Sequence, residues 1–149
     1  MAVERTFSML KPGVVPRRLA GEIMARIERK GLKIVALKMR TIGRILAETH
    51  YAEHREKSFF GELVSFITSG PVVAMVIEGD DAIARVRELC GATKVENAQP
   101  GTIRGDYAMH TGLNMIHASD SAASAEREIG LFFEAAEICA WNDPNDAWI

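Results

Sequence analysis

The spacing of apolar positions along the chain predicts an alternation of strands and helices. Alternating or continuous apolar runs predict strands at residues 6–10, 33–40, 72–77 and 115–117. A repeat of three to four residues predicts helices at residues 19–30, 45–57, 59–68 and 121–132. Asp80 or Asp81 begins one further helix, which ends at Gly91.

The order of these elements is β-α-β, then helices, then β-α-loop-β-α. This order predicts an α+β fold, a ferredoxin-like split β-α-β sandwich in which helices pack on a four-stranded antiparallel sheet. The loop at residues 91–113 precedes the last strand and has no periodicity, so we expect it to be long and irregular. We expect a single domain, residues 1–149, with an irregular tail at 141–149.

One strand carries a clear alternation. In residues 33–40, Val35, Leu37 and Met39 alternate with charged positions. Since successive side chains of a strand point to opposite faces, we expect these three to share the buried face of the sheet.

Composition excludes several classes of protein. The chain has 149 residues and a net charge of −2, so no general basic field would attract nucleic acid or a membrane surface. No apolar run approaches the roughly 20 residues needed to cross a bilayer, and no secretory leader is recognisable at the start. Cys90 and Cys139 fit no metal spacing, and we expect reduced thiols and a cytoplasmic location.

The segment at residues 114–121 carries the most informative chemistry. His117 ends a short apolar stretch, and Asp120 and Ser121 can cap the helix that follows. Glu128 lies at helical spacing on the face that looks back toward His117. A histidine beside a helix N-terminus and a carboxylate is suited to chemistry on an anion.

A few polar residues could form a phosphate cradle with that histidine. Lys11 follows the first strand, Arg87 lies at the edge of a helix, and Thr93 and Arg104 lie in the long loop. Each alone is most simply a solvated surface group. Together they would offer two guanidinium groups, an ammonium and a hydroxyl. Phosphates would have to be held by such side chains, because neither a P-loop nor a Gly-x-Gly-x-x-Gly motif occurs.

One competing motif indicates a metal enzyme. His50, Glu53 and His54 match His-x-x-Glu-His, the signature of one class of zinc protease. Such a short pattern often arises by chance, and a zinc site would need a third ligand.

From residue 5 to about 133, the chain resembles the nucleoside diphosphate kinase family. The matching segments are Arg5-Thr6-Phe7, Lys11-Pro12, His50-Tyr51, Phe59-Phe60, and the runs at 69–75, 100–106, 114–121 and 124–129. So many matches in order make chance similarity implausible.

The resemblance implies a ping-pong transfer of the γ-phosphate of a nucleoside triphosphate, such as ATP, to a nucleoside diphosphate. His117 would carry the phosphate on Nδ1, and Glu128 and Ser119 would orient its ring. Tyr51 would lie near the histidine, and Lys11 would support the chemistry.

The resemblance also implies a nucleotide site, a cofactor and an assembly. The phosphates and sugar would be held by Lys11, Arg87, Thr93, Arg104 and Asn114. The base would stack on Phe59, with Leu63 and Thr111 nearby. Mg²⁺ would be bound through the nucleotide phosphates, with no ligands from the protein. The chain would form a homo-oligomer, a hexamer or a tetramer.

The chain departs from the family pattern at three places. Gly13 stands where the family usually has aspartate, and Ala118 stands where it usually has glycine. Lys94-Val95 replaces a usual Asn-Pro, which predicts a softer loop. If position 118 needed a positive φ, its alanine would cost about 1 kcal/mol.

Two alternatives from other classes stay open. The first is a catalytically silent, nucleotide-binding regulatory domain, although no phosphate ligand is lost. The second is RNA binding on a ferredoxin-like sheet, although the chain is acidic and lacks the aromatic strand motif.

Overall fold

The computed structural model describes residues 3–149. The strands are β1 (Val3–Leu10), β2 (Lys33–Thr41), β3 (Pro71–Asp80) and β4 (Ile116–Ala118). The helices are α1 (Ala20–Arg29), α2 (Arg44–His50), α3 (Phe60–Ile67), α4 (Ala82–Cys90), α5 (Ile103–Tyr107) and α6 (Ala122–Phe132). Short 3₁₀ turns lie at Ala52–His54, Val95–Asn97, Thr111–Leu113, Ala135–Glu137 and Asp146–Trp148. No helix among these residues is long and apolar enough to cross a membrane.

The sheet confirms the predicted fold class. Its strand order is β2-β3-β1-β4, and each neighbouring pair is antiparallel. β1 and β2 therefore run in the same direction with β3 between them, which is a split β-α-β arrangement. The central strand β3 has the longest apolar run, and its residues from Val72 to Ile77 are buried.

Helices cover both faces of the sheet. On one face α1 and α4 bury Ile23, Ile27, Val86 and other side chains in a first core cluster. On the other face α2, α3 and α6 form a second cluster, which contains Phe7 of β1 and Phe132 of α6. His117 and the side chains that surround it lie on this second face.

The alternation predicted for β2 is wrong. Val35 is buried, but Leu37 is 51% exposed and Met39 is 61% exposed. The pairing of β2 with β3 shifts register between Ile34 and Ala36. An extra residue in one strand reverses the faces of all later side chains, so Ala36 is buried and Leu37 and Met39 are not.

Helix boundaries show where local chemistry overrode the pattern. The helix predicted at 45–57 ends at His50, and a 3₁₀ turn continues it. Asp81 occupies the cap position of α4 with φ of +50°, yet its side chain makes no cap hydrogen bond. Glu4 of β1 supplies the cap hydrogen bond instead: the Oε1 of Glu4 accepts from the backbone N–H of Ile83 at 3.0 Å.

The long loop before β4 contains more structure than its lack of periodicity indicates. The short helix α5 is capped by Thr102, whose side chain accepts from the N–H of Gly105. Asp106 accepts a hydrogen bond from the N–H of Gly101 and forms an ion pair with Arg26 of α1. The tail at 141–149 is irregular apart from a single 3₁₀ turn.

Candidate active site

β4 places the side chain of His117 on the face of the sheet that carries the second core cluster. The strand pairs with β1, with His117 opposite Met9. Ile116 and Ala118 pack into the first core cluster, so alternation directs the side chain of His117 to the other face. Ser121 begins α6 as predicted, since its Oγ accepts from Ser124 N–H at 3.1 Å.

The structure joins His117, Glu128 and Ser119 directly. Nε2 of His117 lies 2.8 Å from Oε1 of Glu128, and Ser119 Oγ donates to the same oxygen at 2.6 Å. Burial would raise the pKa of Glu128, but the hydrogen bonds from His117 and Ser119 hold it below its usual value. Because an ionised carboxylate only accepts, this contact assigns the proton to Nε2 and leaves the lone pair of a neutral ring on Nδ1.

A strained turn precedes the histidine. Ile116 N–H donates to the carbonyl of Asn114 at 3.0 Å across Met115, whose φ is +80°. This is a γ-turn of the rare left-handed kind, which is costly for a residue with a side chain. It brings Asn114 Oδ1 to the Nζ of Lys11, which donates to it at 2.8 Å. Sequence reasoning missed Met115, because no residue type there signals a positive φ.

Two arginines line the edge strand beside His117. Arg104 is 4% exposed and donates to the carbonyls of Asn114 and Ile116, and also to Gly91. Arg87 donates to the carbonyl of Ala118 at 3.0 Å. The arginines thus satisfy the carbonyls of Ile116 and Ala118 on the edge strand and that of Asn114 just before it. Their remaining guanidinium N–H groups make no hydrogen bond within residues 3–149.

The cations near β4 are crowded. Burial, together with the neighbouring positive charge of Arg104, lowers the pKa of Lys11 to about 8. Burial and the charge of Arg87 likewise lower the pKa of Arg104. Uncompensated positive charge of this kind favours an anion that would bind all three groups.

A row of aromatic rings leads from His117 to the protein surface. Successive ring centroids of His117, His50, Tyr51, His54 and Phe59 lie 4.8, 4.7, 6.4 and 5.7 Å apart. Tyr51 is 8% exposed, and burial together with the charge of Glu128 raises its pKa to about 12. Phe59, at the outer end of the row, is 42% exposed.

Within residues 3–149, three predicted residues make no hydrogen bond to His117, Glu128 or Ser119. Leu63 lies one turn after Phe59 on α3 and is half-buried against the second cluster. Thr93 is exposed in the long loop. Thr111 is also exposed, and its Oγ1 accepts from Val95 N–H at 3.0 Å.

The structure does not support the zinc alternative. Within residues 3–149 no group of three or more His, Cys, Asp or Glu side chains is placed to hold a metal ion. His50 is buried among aromatic rings, and His54 pairs only weakly with Glu53, at 3.7 Å.

The three departures from the expected pattern are accommodated. Gly13 adopts φ of +102°, which suits glycine. Ala118 is not among the residues with positive φ, so its side chain carries no such strain. Val95 begins a 3₁₀ turn that Thr111 holds in place.

Comparisons with known proteins agree with this geometry. The model of the family described as nucleoside diphosphate kinase matches residues 4–138. A nucleoside diphosphate kinase of Archaeoglobus fulgidus is 60% identical over 147 residues, 99% of this chain and 97% of that protein. One from Treponema pallidum is 56% identical over 97% of each chain.

Solved structures give the same picture. A halophilic nucleoside diphosphate kinase from Halobacterium salinarum in complex with CDP superposes with a TM-score of 0.96, at 54% identity, over 99% of this chain and 98% of that one. A nucleoside diphosphate kinase family protein from Babesia bovis gives 0.94 at 42% identity, over 97% and 98%.

Proposed function

Because this chain belongs to the nucleoside diphosphate kinase family, a family of phosphotransferases, we propose that it moves phosphate through a phosphohistidine at His117. The reaction has two half-steps. Nδ1 of His117 attacks the γ-phosphorus of a nucleoside triphosphate, and the bond to the β,γ-bridging oxygen breaks as the diphosphate leaves. A terminal oxygen of a second nucleoside diphosphate then attacks that phosphorus, and the N–P bond breaks.

The observation that carries this proposal is the contact between Nε2 of His117 and Glu128. In the neutral ring it fixes the tautomer in which Nδ1 has the lone pair that attacks phosphorus. As Nδ1 bonds to phosphorus, positive charge develops on the imidazole, and the adjacent carboxylate stabilises it. Ser119 holds that carboxylate in position.

The cations at β4 would hold the phosphates. Lys11, Arg87 and Arg104 converge on the strand that carries His117, and Asn114 is fixed to Lys11. These groups would neutralise the charge that moves between donor and acceptor. Thr93, in the loop that follows α4, is proposed as a further hydroxyl ligand of the phosphates or sugar.

The base would stack on Phe59, with Leu63 and Thr111 beside it. Phe59 is exposed enough to accept a stacked ring, and every base offers one. Stacking without hydrogen bonds to the base edge predicts weak selectivity among nucleotides. The solved Halobacterium structure, a complex with CDP, agrees with use of a pyrimidine nucleotide.

Mg²⁺ is proposed as the cofactor, held by nucleotide phosphates and not by protein ligands. The residues present fit this arrangement: the described part of the chain offers basic groups for phosphate and no acidic cluster for a metal. When bound, Mg²⁺ would supply further neutralisation of the phosphate charge. We also propose a homo-oligomer, a hexamer or a tetramer, and a cytoplasmic location consistent with the free thiols of Cys90 and Cys139.

The decisive experiment is isolation of the intermediate. The protein is incubated with γ-labelled ATP and Mg²⁺, nucleotide is removed, and the labelled protein is treated with acid or alkali. We expect a label that is labile to acid and stable to alkali, absent from His117→Ala, and transferable to added CDP or GDP. A protein that binds nucleotide but takes up no label would instead be the silent regulatory domain.

A further inference from the structure

His50 is a buried imidazole at this site that the proposed mechanism does not use. It ends α2 and is 4% exposed. Both of its ring nitrogens are buried, and neither finds a hydrogen-bond partner among residues 3–149. Burying unpaired polar atoms is costly, so an apolar side chain would serve ordinary packing better.

The ring of His50 packs directly against that of His117. Their centroids are 4.8 Å apart and their planes meet at 83°, an edge-to-face arrangement. Behind His50 stand Phe132 at 5.4 Å and Phe7 at 6.4 Å, and Tyr51 contacts it at 4.7 Å. His50 is therefore wedged between the second core cluster and the reacting histidine.

The backbone of His50 is tied to the helix that supplies the carboxylate. Arg127 of α6 donates to the carbonyl of Thr49 at 2.7 Å and to that of His50 at 3.2 Å. Arg127 is the neighbour of Glu128 in the chain. The same turn of α6 thus sets both the position of His50 and the position of the carboxylate that holds Nε2 of His117.

We propose that His50 is a positioning residue for His117: its flat, buried ring confines the imidazole of His117 to the orientation in which Nε2 meets Glu128. This role rests on the proposed phosphotransfer through Nδ1. The ring of His117 is then held at Nε2 by Glu128 and flanked by His50 and Phe7, at 4.8 and 5.9 Å. No hydrogen bond within residues 3–149 occupies Nδ1.

His50 can fill this position because it stays uncharged. Burial lowers its pKa to about 3, and the charges of His117, Arg127 and Lys11 oppose its protonation, while Glu128 favours it. Tyr51, the remaining titratable neighbour, has a pKa raised to about 12 and is neutral as well. At working pH, His50 therefore offers Glu128 no imidazolium that would compete with His117 for the carboxylate.

The test compares three substitutions of His50 with a core control. His50→Ala removes the ring, His50→Phe keeps a flat ring without nitrogens, and His50→Leu keeps most of the volume without the flat shape. Ile67→Ala, in the second core cluster, opens a cavity there without removing either ring that packs on His117. For each variant we would measure kcat, KM, urea unfolding, and the His117 tautomer by nitrogen-15 NMR.

We expect kcat of His50→Ala and His50→Leu to fall about 10-fold with KM within about twofold, the size seen when a supporting contact of a ligand or base is lost. Their NMR signals should show His117 shared between two tautomers. His50→Phe should keep the wild-type tautomer and most of kcat. Ile67→Ala should lose stability and keep both kcat and the tautomer.

Distinct outcomes overturn the inference. A single wild-type tautomer in a folded His50→Leu variant would show that His50 does not position the ring. Failure of His50→Phe to restore kcat, in a protein that folds, would assign the role to the nitrogens. The proposed function has its own test, because it would be contradicted by the absence of phosphohistidine in the wild-type protein. The tautomer measurement does not depend on that result. Should His50→Ala not fold, His50→Leu carries the same test.

Discussion

The two ends of the proposed site are built differently. At the histidine end, the buried Glu128 lies 2.8 Å from Nε2 of His117, and the buried Ser119 donates to the same carboxylate at 2.6 Å. At the base end, Phe59 is 42% exposed, and Thr111 is exposed, with its hydroxyl hydrogen-bonded to Val95 and Glu96 of the neighbouring loop. The residues of the histidine end are supplied by the paired strands β1 and β4 and by the helix α6. Those of the base end are supplied by the shorter helix α3 and by the loop before β4.

The difference follows from what each end has to do. Attack on phosphorus requires a fixed nitrogen and a fixed field, and small displacements reduce the rate strongly. A stacked base needs only a flat apolar surface, and a mobile surface can accept rings of different size. We therefore expect substitutions at the histidine end to lower kcat strongly. Substitutions at the base end should weaken the binding of all nucleotides modestly and to a similar extent.

The largest expected effect is that of His117→Ala. The substitution removes the only group to which phosphate is attached in the proposed mechanism, so transfer should fall to background. The fold should persist, because His117 lies on the edge strand β4 and its partly exposed side chain is outside both core clusters. The measurement is turnover with ATP and a second nucleoside diphosphate, beside thermal unfolding. A folded variant with substantial turnover would assign the chemistry elsewhere.

Glu128→Gln should cost less, about 10- to 100-fold in kcat, because it changes a group that orients and stabilises the nucleophile without bonding to phosphorus. KM should change little. The matched control is Ser119→Ala, which removes the hydrogen bond to the same Oε1 and should lose less again. A loss from Glu128→Gln as complete as that from His117→Ala would mean that the carboxylate takes a direct part in the chemistry.

These two residues show what a sequence can reveal about such a site. The pairing of His117 with Glu128 followed from helical spacing after a capped helix start, a local rule that the structure obeys. The exposure of Leu37 and Met39 could not be predicted from local spacing, because the register shift in β2 depends on its pairing with β3.

Other parts of the site were hidden for a related reason. The positive φ of Met115 and the buried ring of His50 arise from contacts between elements distant in the chain. The nucleotide-binding residues were assigned by resemblance and not by periodicity. Thr93 and Phe59 lie in segments whose local pattern says nothing of a ligand, so their roles stay predictions.

Phe59→Ala tests the base end. Loss of one stacked ring should weaken binding by about 1–3 kcal/mol, with kcat at saturation nearly unchanged. The loss should be similar for ATP, GTP and CTP, since no contact with a base edge is expected. Binding would be followed by calorimetry with each nucleotide, and Leu63→Ala gives a milder comparison on the same helix. Strongly unequal losses would reveal a base-specific contact.

Lys11 connects the two ends through the phosphates, and its ionisation gives a pH test. With a pKa of about 8 in the free protein, its ammonium loses its charge as the pH rises through 8. A neutral Lys11 binds phosphate less well, so kcat/KM should fall above pH 8 and approach a tenfold loss per pH unit. In Lys11→Met, activity should start lower and lack this decline. A wild-type profile that stays flat to pH 10 would contradict the assignment.

The smallest effect concerns the loop at the base end. Lys94 has φ of −76° and ψ of 113°, and Val95 begins a 3₁₀ turn, so the backbone suits proline at position 95. Proline would stabilise by about 0.4–1 kcal/mol by restricting the unfolded chain. It would also remove the N–H that Val95 donates to Thr111, worth about 0.5–1.5 kcal/mol.

The two contributions nearly cancel, so Val95→Pro alone should leave the free energy of unfolding almost unchanged. In a Thr111→Val background the hydrogen bond is already absent, and the same proline should stabilise by about 0.4–1 kcal/mol. Urea unfolding of the four proteins at one protein concentration measures this coupling. Equal effects of the proline in both backgrounds would mean that the Val95–Thr111 contact contributes nothing, and that the loop at the base end is softer than its hydrogen bonds indicate.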